Sequence, residues 1–146
     1  SVNSIPDAIW LEVDMRSETM AALDAVKAQF DAAVSEAVKV ENDRWNNRGA
    51  VSVEVELVGL RPAGQTPGDS EIVKLASASV VAMGGSPTYG AGSTDSNVPM
   101  QLGIPAVTLG GGGVATRAHS LDESFDSTDS HLGPQAVLLT LVSLVR

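Results

Sequence analysis

The stretch GIPAVTLGGGG, residues 103–113, decides the fold, and AHSLDE, residues 118–123, follows shortly after it. An apolar run of strand length between glycine and proline predicts a buried central strand of a covered sheet. Four consecutive glycines leave the backbone bare, so a ligand can approach its N–H groups closely. A histidine just beyond such a loop lies where open α/β sheets carry their active sites, at the carboxyl ends of the strands. A flexible loop with an incidental surface histidine is an equally open interpretation.

The composition is that of an ordinary globular chain, and it excludes several classes of function. Of the 146 residues, 43% are hydrophobic and 18% are charged. The net charge of −9 argues against nucleic-acid binding, which needs a basic face. The absence of cysteine excludes disulfides, thiolate zinc sites and cysteine nucleophiles. Histidine and carboxylate would therefore have to hold any metal, and the chain has only two histidines.

Neither a membrane span nor a secretory leader is expected. No apolar run reaches the roughly 18 residues that a spanning helix needs. The opening SVNSIPD has neither the basic segment nor the apolar core of a signal peptide. The expected location is the cytoplasm.

The first part of the chain has the pattern of a strand, a helix and a second strand. Residues 8–16 and 51–57 alternate between apolar and polar side chains, which predicts two half-buried strands. Between them, Ser17 is the expected N-cap of a helix. Its inward stripe is Met20, Leu23, Val26, Phe30, Val34 and Val38. Two strands and one helix are marginal alone, so further strands are expected from a longer chain or a second copy.

A linker rich in proline and glycine, RPAGQTPG at residues 61–68, predicts a domain boundary, with domains at 1–62 and 63–146. The second part predicts a helix from Asp69 or Ser70 to about Met83, then a short strand and loop over 86–93. A brief helix over 95–102 and a last helix over 136–145 complete the pattern. Helices alternating with strands in this way predict an α/β layered domain.

Two groups of residues are candidates for chemistry, and each has a simpler explanation. His119 beside Asp122 and Glu123 can supply one metal ligand, but a zinc site needs three or four, so a surface histidine in an acidic loop is the alternative. Arg16 offers a planar fork for a carboxylate, and Asn3 can donate a hydrogen bond beside it. The alternative for Arg16 is a surface ion pair with a neighbouring acid, Asp14 or Glu18.

The hydroxyl-rich segment STDSN, residues 93–97, and the glycine run give weaker signals. A triad of serine, histidine and aspartate is conceivable, but no G-x-S-x-G nucleophile elbow is present, so helix capping and loop bracing are favoured. The glycine run is not followed by Gly-Lys-Ser/Thr and opens no G-x-G-x-x-G helix, so it is not a phosphate loop.

In their order along the chain, three segments resemble a family of dinuclear-zinc peptidases and amidohydrolases. The family includes glutamate carboxypeptidase, peptidase T, aminoacylases and succinyl-diaminopimelate desuccinylase. The segment SVNSIPDAIWLEVDMRSE resembles its lid domain, and STDSNVPMQLGIPAVTLGGGG with the later AHSLDESFD resembles its C-terminal catalytic segment. The resemblance covers nearly the whole chain and is closest to peptidase T-like members.

The resemblance implies a fold and a role for each candidate residue. The implied fold is α/β, with a partial lid or dimerisation domain of strand–helix–strand type followed by the C-terminal part of a zinc-exopeptidase catalytic domain. His119 matches a ligand of one of two zinc ions. Asn3 and Arg16 match the pair that grips the substrate carboxylate, reaching the opposite subunit of a homodimer. Gly110, Gly111 and Gly112 match the lining of the substrate pocket.

The resemblance also implies that much of the enzyme lies outside this chain. In the family, an N-terminal half supplies the other metal histidine, the bridging aspartate and the glutamate that activates water. The chain is therefore expected to be a C-terminal fragment without hydrolase activity of its own. Its implied substrates are small peptides or acyl-amino acids.

Two other functions remain open at this point. One is a non-enzymatic α/β module that binds a small anion at Gly110–Gly113. The other is a serine hydrolase that uses Ser93 or Ser96 with His119.

Overall fold

Helices dominate the secondary structure, as shown by a computed structural model that describes residues 3–145. In chain order the elements are α1 (Met20–Arg44), α2 (Glu71–Ala82), α3 (Asn97–Gln101), β1 (Val114–Thr116), β2 (Ser124–Asp126) and α4 (Leu132–Leu144). The protein is thus a mixed α and β structure. It divides into two compact units, the first ending at Leu57 and the second beginning at Val58. The assignment of residues 1–62 to a lid domain and of residues 63–146 to a catalytic domain stays a prediction.

The N-cap of helix α1 lies two residues later than expected. Thr19, rather than Ser17, is the N-cap: its backbone is extended, and its hydroxyl accepts a hydrogen bond from the Ala22 N–H at 3.2 Å. Five residues of the predicted stripe are half-buried, and none is fully buried. They are Met20, Leu23, Phe30, Val34 and Val38. The stripe therefore faces inward but is only partly covered.

The chain leaves α1 through a turn that is held by one side chain. Asn46, Asn47 and Gly49 have left-handed backbones with φ of 51°, 57° and 60°, which end the helix. Asn42 then holds both backbone groups of Val51: its Oδ1 accepts from the N–H at 2.8 Å, and its Nδ2 donates to the carbonyl at 3.0 Å. The Asn42 amide thus satisfies the two backbone groups of Val51 that would otherwise pair with a neighbouring strand.

The two strands predicted in the first unit are absent from its described residues, 3–57. Residues 8–16 and 51–57 form no strand, and their apolar side chains are exposed apart from the half-buried Met15, with Ile9 at 86% and Leu11 at 82%. The alternating pattern describes a surface suited to a sheet, but a strand forms only where another chain segment completes its hydrogen bonds. No described segment does so here.

In the second unit, α2 and α4 pack against each other through small side chains. The buried residues are Val73, Ala76 and Ser79 on α2 and Gly133, Ala136 and Thr140 on α4. The predicted bounds of α2 are confirmed, and Gly84, with φ of 81°, follows its end. Helix α4 begins earlier than predicted, at Leu132, and Pro134 lies in its first turn, where proline is tolerated.

The sheet of the second unit lies where the sequence predicts only a long loop. Strands β1 and β2 pair antiparallel, with Val114 opposite Asp126, Ala115 opposite Phe125 and Thr116 opposite Ser124. The predicted strand over 103–109 is wrong, as is that over 86–93, because neither segment has a paired neighbour within residues 3–145. Instead, the Thr66 hydroxyl donates to the Ala106 carbonyl at 2.6 Å and accepts from the Ala106 N–H at 2.9 Å.

Candidate functional site

His119 lies in the loop of residues 117–123, which joins β1 to β2. Its backbone is left-handed, with φ of 64°, and so is that of Arg117, with φ of 53°. Such conformations are unfavourable for residues with a side chain, so contacts within the loop must hold them. The most direct contact is the His119 N–H, which donates to Glu123 Oε2 at 3.2 Å.

Other contacts close the same loop on itself. The Ser120 hydroxyl donates to the Arg117 carbonyl at 2.7 Å and accepts from the Asp122 N–H at 3.3 Å. Arg117 and Asp122 form an ion pair at 3.4 Å, and the Glu123 N–H donates to the Ser120 carbonyl at 3.1 Å. The loop is therefore exposed but braced at several points.

The imidazole of His119 is exposed, and no side chain or backbone group of residues 3–145 is hydrogen-bonded to its ring. Within the same residues, no group of three or more histidine and carboxylate side chains could hold a metal ion together. Nearby, Asp122 is paired with Arg117 and Glu123 accepts from the His119 backbone. The donor set fits one ligand of a zinc site, and the remaining ligands would come from elsewhere.

The glycine run has two different surroundings. Gly110 and Gly111 are exposed, and a Cβ added to either would meet no heavy atom within 4 Å. Gly112, with φ of 78°, instead lies against the Ser130 carbonyl and the first turn of α4 at Gly133. A Cβ on Gly113, with φ of 68°, would lie 2.6 Å from the Asp126 carbonyl oxygen. The end of the run therefore permits close packing. At its beginning the Cβ side of Gly110 and Gly111 is open, although the Gly111 carbonyl lies against Gly133.

Arg16 is engaged by a neighbouring acid. Its Nε and Nη2 donate to Asp14 Oδ2 at 2.9 and 2.6 Å, and both side chains are largely exposed. This hydrogen-bonded pair raises the pKa of Arg16 and lowers the pKa of Asp14. Asn3 lies exposed in a turn at the start of the described residues. A substrate carboxylate at Arg16 would have to compete with Asp14.

The predicted site residues belong to different units. Asn3 and Arg16 lie in the unit that ends at Leu57, whereas His119 and Gly110–Gly112 lie in the unit that begins at Val58. Within the second unit, the glycine run leads directly into β1, and the His119 loop follows the same strand. The glycine run and the His119 loop are neighbours because they are close in the sequence.

The hydroxyls of residues 93–97 brace a loop. The Thr108 hydroxyl is hydrogen-bonded to those of Thr94 at 2.9 Å and Ser96 at 2.7 Å, and the Ser93 hydroxyl accepts from Arg61 at 3.2 Å. Neither serine is hydrogen-bonded to a histidine in the described part of the chain. The contribution of Thr108 was missed, since spacing along the sequence does not show contacts between distant segments.

A cleft at the end of α1 was also missed. It has a volume of about 380 Å³, and its lining comprises Ile5, Glu41, Asn42, Trp45, Arg48, Gly49 and Val51. Trp45 Nε1 donates to Glu41 Oε1 at 2.8 Å. The spacing of Glu41 and Trp45, one helical turn apart, was the available signal. None of the predicted site residues lines this cleft.

Comparison with known proteins does not assign this chain to a family. The sequence matches no protein-family model and no curated protein. None of the helices described over residues 3–145 has the length and apolar character needed to cross a membrane. A function must therefore be argued from the chain's own residues.

Proposed function

We propose that this chain is part of a zinc-dependent peptidase or amidohydrolase that cleaves small carboxylate-bearing substrates. Its fold would be a partial lid domain followed by the C-terminal part of an α/β zinc-exopeptidase catalytic domain. The observation that carries the proposal is the exposed imidazole of His119 on a braced loop directly after the glycine run. The sequence resemblance to dinuclear-zinc hydrolases supports the proposed fold, metal and reaction.

His119 would provide one nitrogen ligand in this proposal, and no other catalytic residue is assigned to the chain. Two zinc ions, when bound, would lower the pKa of a bound water and polarise the scissile carbonyl. The remaining ligands and the general base would come from another part of the same protein. The isolated chain is therefore expected to be inactive.

Arg16 and Asn3 would bind the substrate carboxylate. The guanidinium of Arg16 already holds a carboxylate oxygen, that of Asp14, through two donors. A substrate carboxylate would replace Asp14 in this arrangement, and the Asn3 amide would donate beside it. Gly110, Gly111 and Gly112 would line the pocket for a small peptide or acyl-amino acid.

Two protein partners belong to the proposal. The apolar side chains of residues 8–16 and 51–57 are exposed in the first unit, which supports homodimerisation through that unit. Helix α4 also leaves large apolar side chains uncovered, with Leu138 at 62% and Leu141 at 56% exposed. These would pack against the missing N-terminal half of the same protein.

The test compares the two histidines in the complete gene product that contains these residues. We expect metal-dependent hydrolysis of dipeptides or N-acyl amino acids that is lost in His119→Ala and retained in His131→Ala. His131 is the matched control, because it is also exposed and lies in the same unit. Activity retained in His119→Ala would contradict the assignment. Submicromolar zinc binding by the isolated chain, measured by calorimetry, would contradict the claim that its site is incomplete.

A metal-free anion site at Gly110–Gly113 is the second candidate. It is favoured by the open space beside the backbones of Gly110 and Gly111. Titration with inorganic phosphate would then shift the NMR signals of these amides equally in the wild-type chain and in His119→Ala. The third candidate, a serine hydrolase, has less support, because the Ser96 hydroxyl is bonded to Thr108 and the Ser93 hydroxyl to Arg61.

A further inference from the structure

The backbone of His119 needs a specific partner to keep its conformation. A left-handed residue with a side chain is unfavourable, and this loop has two of them, Arg117 and His119. The contacts through Ser120 engage the carbonyl of Arg117 and the N–H of Asp122, but not the backbone of His119. The hydrogen bond to His119 comes from Glu123.

The two carboxylates of the loop have separate roles. Asp122 forms an ion pair with Arg117 at 3.4 Å, whereas Glu123 Oε2 accepts from the His119 N–H at 3.2 Å. Glu123 is itself fixed at its backbone, since its N–H donates to the Ser120 carbonyl at 3.1 Å. The carboxylate of Glu123 can therefore hold His119 from a defined position four residues later.

We propose that Glu123 is a positioning residue that holds His119 in its left-handed conformation and so presents an exposed imidazole to a metal ion. The metal as ligand rests on the proposed function, whereas the role of Glu123 toward the backbone does not. The loop thus supplies one ligand from a fixed backbone position, which lowers the conformational cost of binding. In this proposal Glu123 orders the backbone of His119 and is not itself a metal ligand.

The first measurement uses the 146-residue chain without metal. Amide hydrogen exchange followed by NMR should be about five-fold faster at His119 in Glu123→Ala, because the N–H loses its acceptor. Glu123→Gln keeps an acceptor oxygen at the same place and should stay within about two-fold of wild type. Asp122→Asn is the control for the other carboxylate of the loop and should leave His119 exchange nearly unchanged. Unchanged exchange in Glu123→Ala would overturn the proposal.

The second measurement adds Co²⁺ as the probe and follows paramagnetic broadening of both histidine rings. Glu123→Ala should weaken Co²⁺ binding at His119 about three-fold and leave His131 unchanged, since a less ordered loop presents the ring less often. Equal weakening in Glu123→Gln would show that Glu123 acts through its charge, which would overturn the proposal. Faster amide exchange without weaker Co²⁺ binding would overturn its second half.

The two proposals fail differently. If the complete gene product kept its activity in His119→Ala, the proposed function would fail, while faster His119 exchange in Glu123→Ala would still stand. Conversely, metal-dependent activity that needs His119 but not the Glu123 carboxylate oxygen would leave the function intact and remove the positioning role.

Discussion

At the scale of single residues, the described loops depend on backbone conformations that glycine or a side-chain hydrogen bond makes accessible. Gly113 has φ of 68° and approaches the Asp126 carbonyl, while His119 reaches a similar φ with the help of Glu123. The first position excludes a side chain by space as well as by conformation. At the second position, the imidazole of His119 is exposed and so can contact a ligand.

Gly113→Ala is expected to destabilise the second unit by about 2–4 kcal/mol, because the new methyl adds left-handed strain and a clash with the Asp126 carbonyl. Urea unfolding followed by circular dichroism measures this change. Gly110→Ala is the matched control: its φ is not left-handed and its Cβ would meet nothing within 4 Å, so its stability should change by less than about 1 kcal/mol. Equal effects of the two substitutions would contradict the close-packing role of Gly113.

At the scale of elements, small side chains set the contact between α2 and α4. Ala76, Ser79, Ala136 and Thr140 are all buried, whereas several larger apolar residues of α4, such as Leu138 and Leu141, are exposed. The contact therefore depends on close approach of the two helices rather than on bulky side chains. Hydrogen bonds from Ser79 to the Leu75 carbonyl and from Thr140 to the Ala136 carbonyl, at 2.9 and 2.8 Å, satisfy the buried hydroxyls.

Ala136→Leu is expected to cost about 1–3 kcal/mol of stability, since the added carbons would separate the two helices. Val137→Leu on the neighbouring, exposed side of α4 should change stability by less than about 0.5 kcal/mol. Thermal unfolding monitored at 222 nm, the standard helix wavelength, compares them. If Ala136→Leu left stability unchanged, the space between α2 and α4 would accommodate a larger side chain. That result would contradict the burial observed at this position.

At the scale of the whole molecule, the chain exposes more surface than its mass requires. Its accessible surface is 11621 Å², whereas two separate compact domains of about 6 and 9 kDa would expose about 8,500 Å² together. Among residues 3–145, the buried hydrophobic residues are Ala63, Val73, Ala76 and Ala136. The excess of about 3,000 Å² is of the order buried in obligate interfaces.

The isolated chain is expected to bind the apolar dye 8-anilinonaphthalene-1-sulfonate and to show a sedimentation coefficient that rises with protein concentration, because exposed apolar surface promotes both. The complete gene product, in which other segments would cover this surface, should bind less dye per chain. Weak dye binding by an isolated chain that stays monomeric would contradict the existence of uncovered interfaces.

Local patterns in the sequence predicted the helices and parts of the site. The three- and four-residue spacing of apolar side chains predicted α1, and the predicted bounds of α2 agree with the observed helix. The sequence also singled out Arg16 beside Asp14, and the glycines and histidine around β1. These features depend on neighbours within a few residues, so local chemistry sufficed for them.

What the sequence determined by itself was the helical stripe of α1, the bounds of α2 and the residue types available for chemistry. Only the tertiary structure decided which extended segments became strands, because a strand needs hydrogen bonds from a second segment: residues 8–16, 51–57 and 103–109 lack one among residues 3–145, while β1 and β2 supply each other. It likewise decided that Thr108 joins Thr94 and Ser96, and that Glu123 holds the backbone of His119. These contacts follow from how the loops close in space, which spacing along a single chain does not specify.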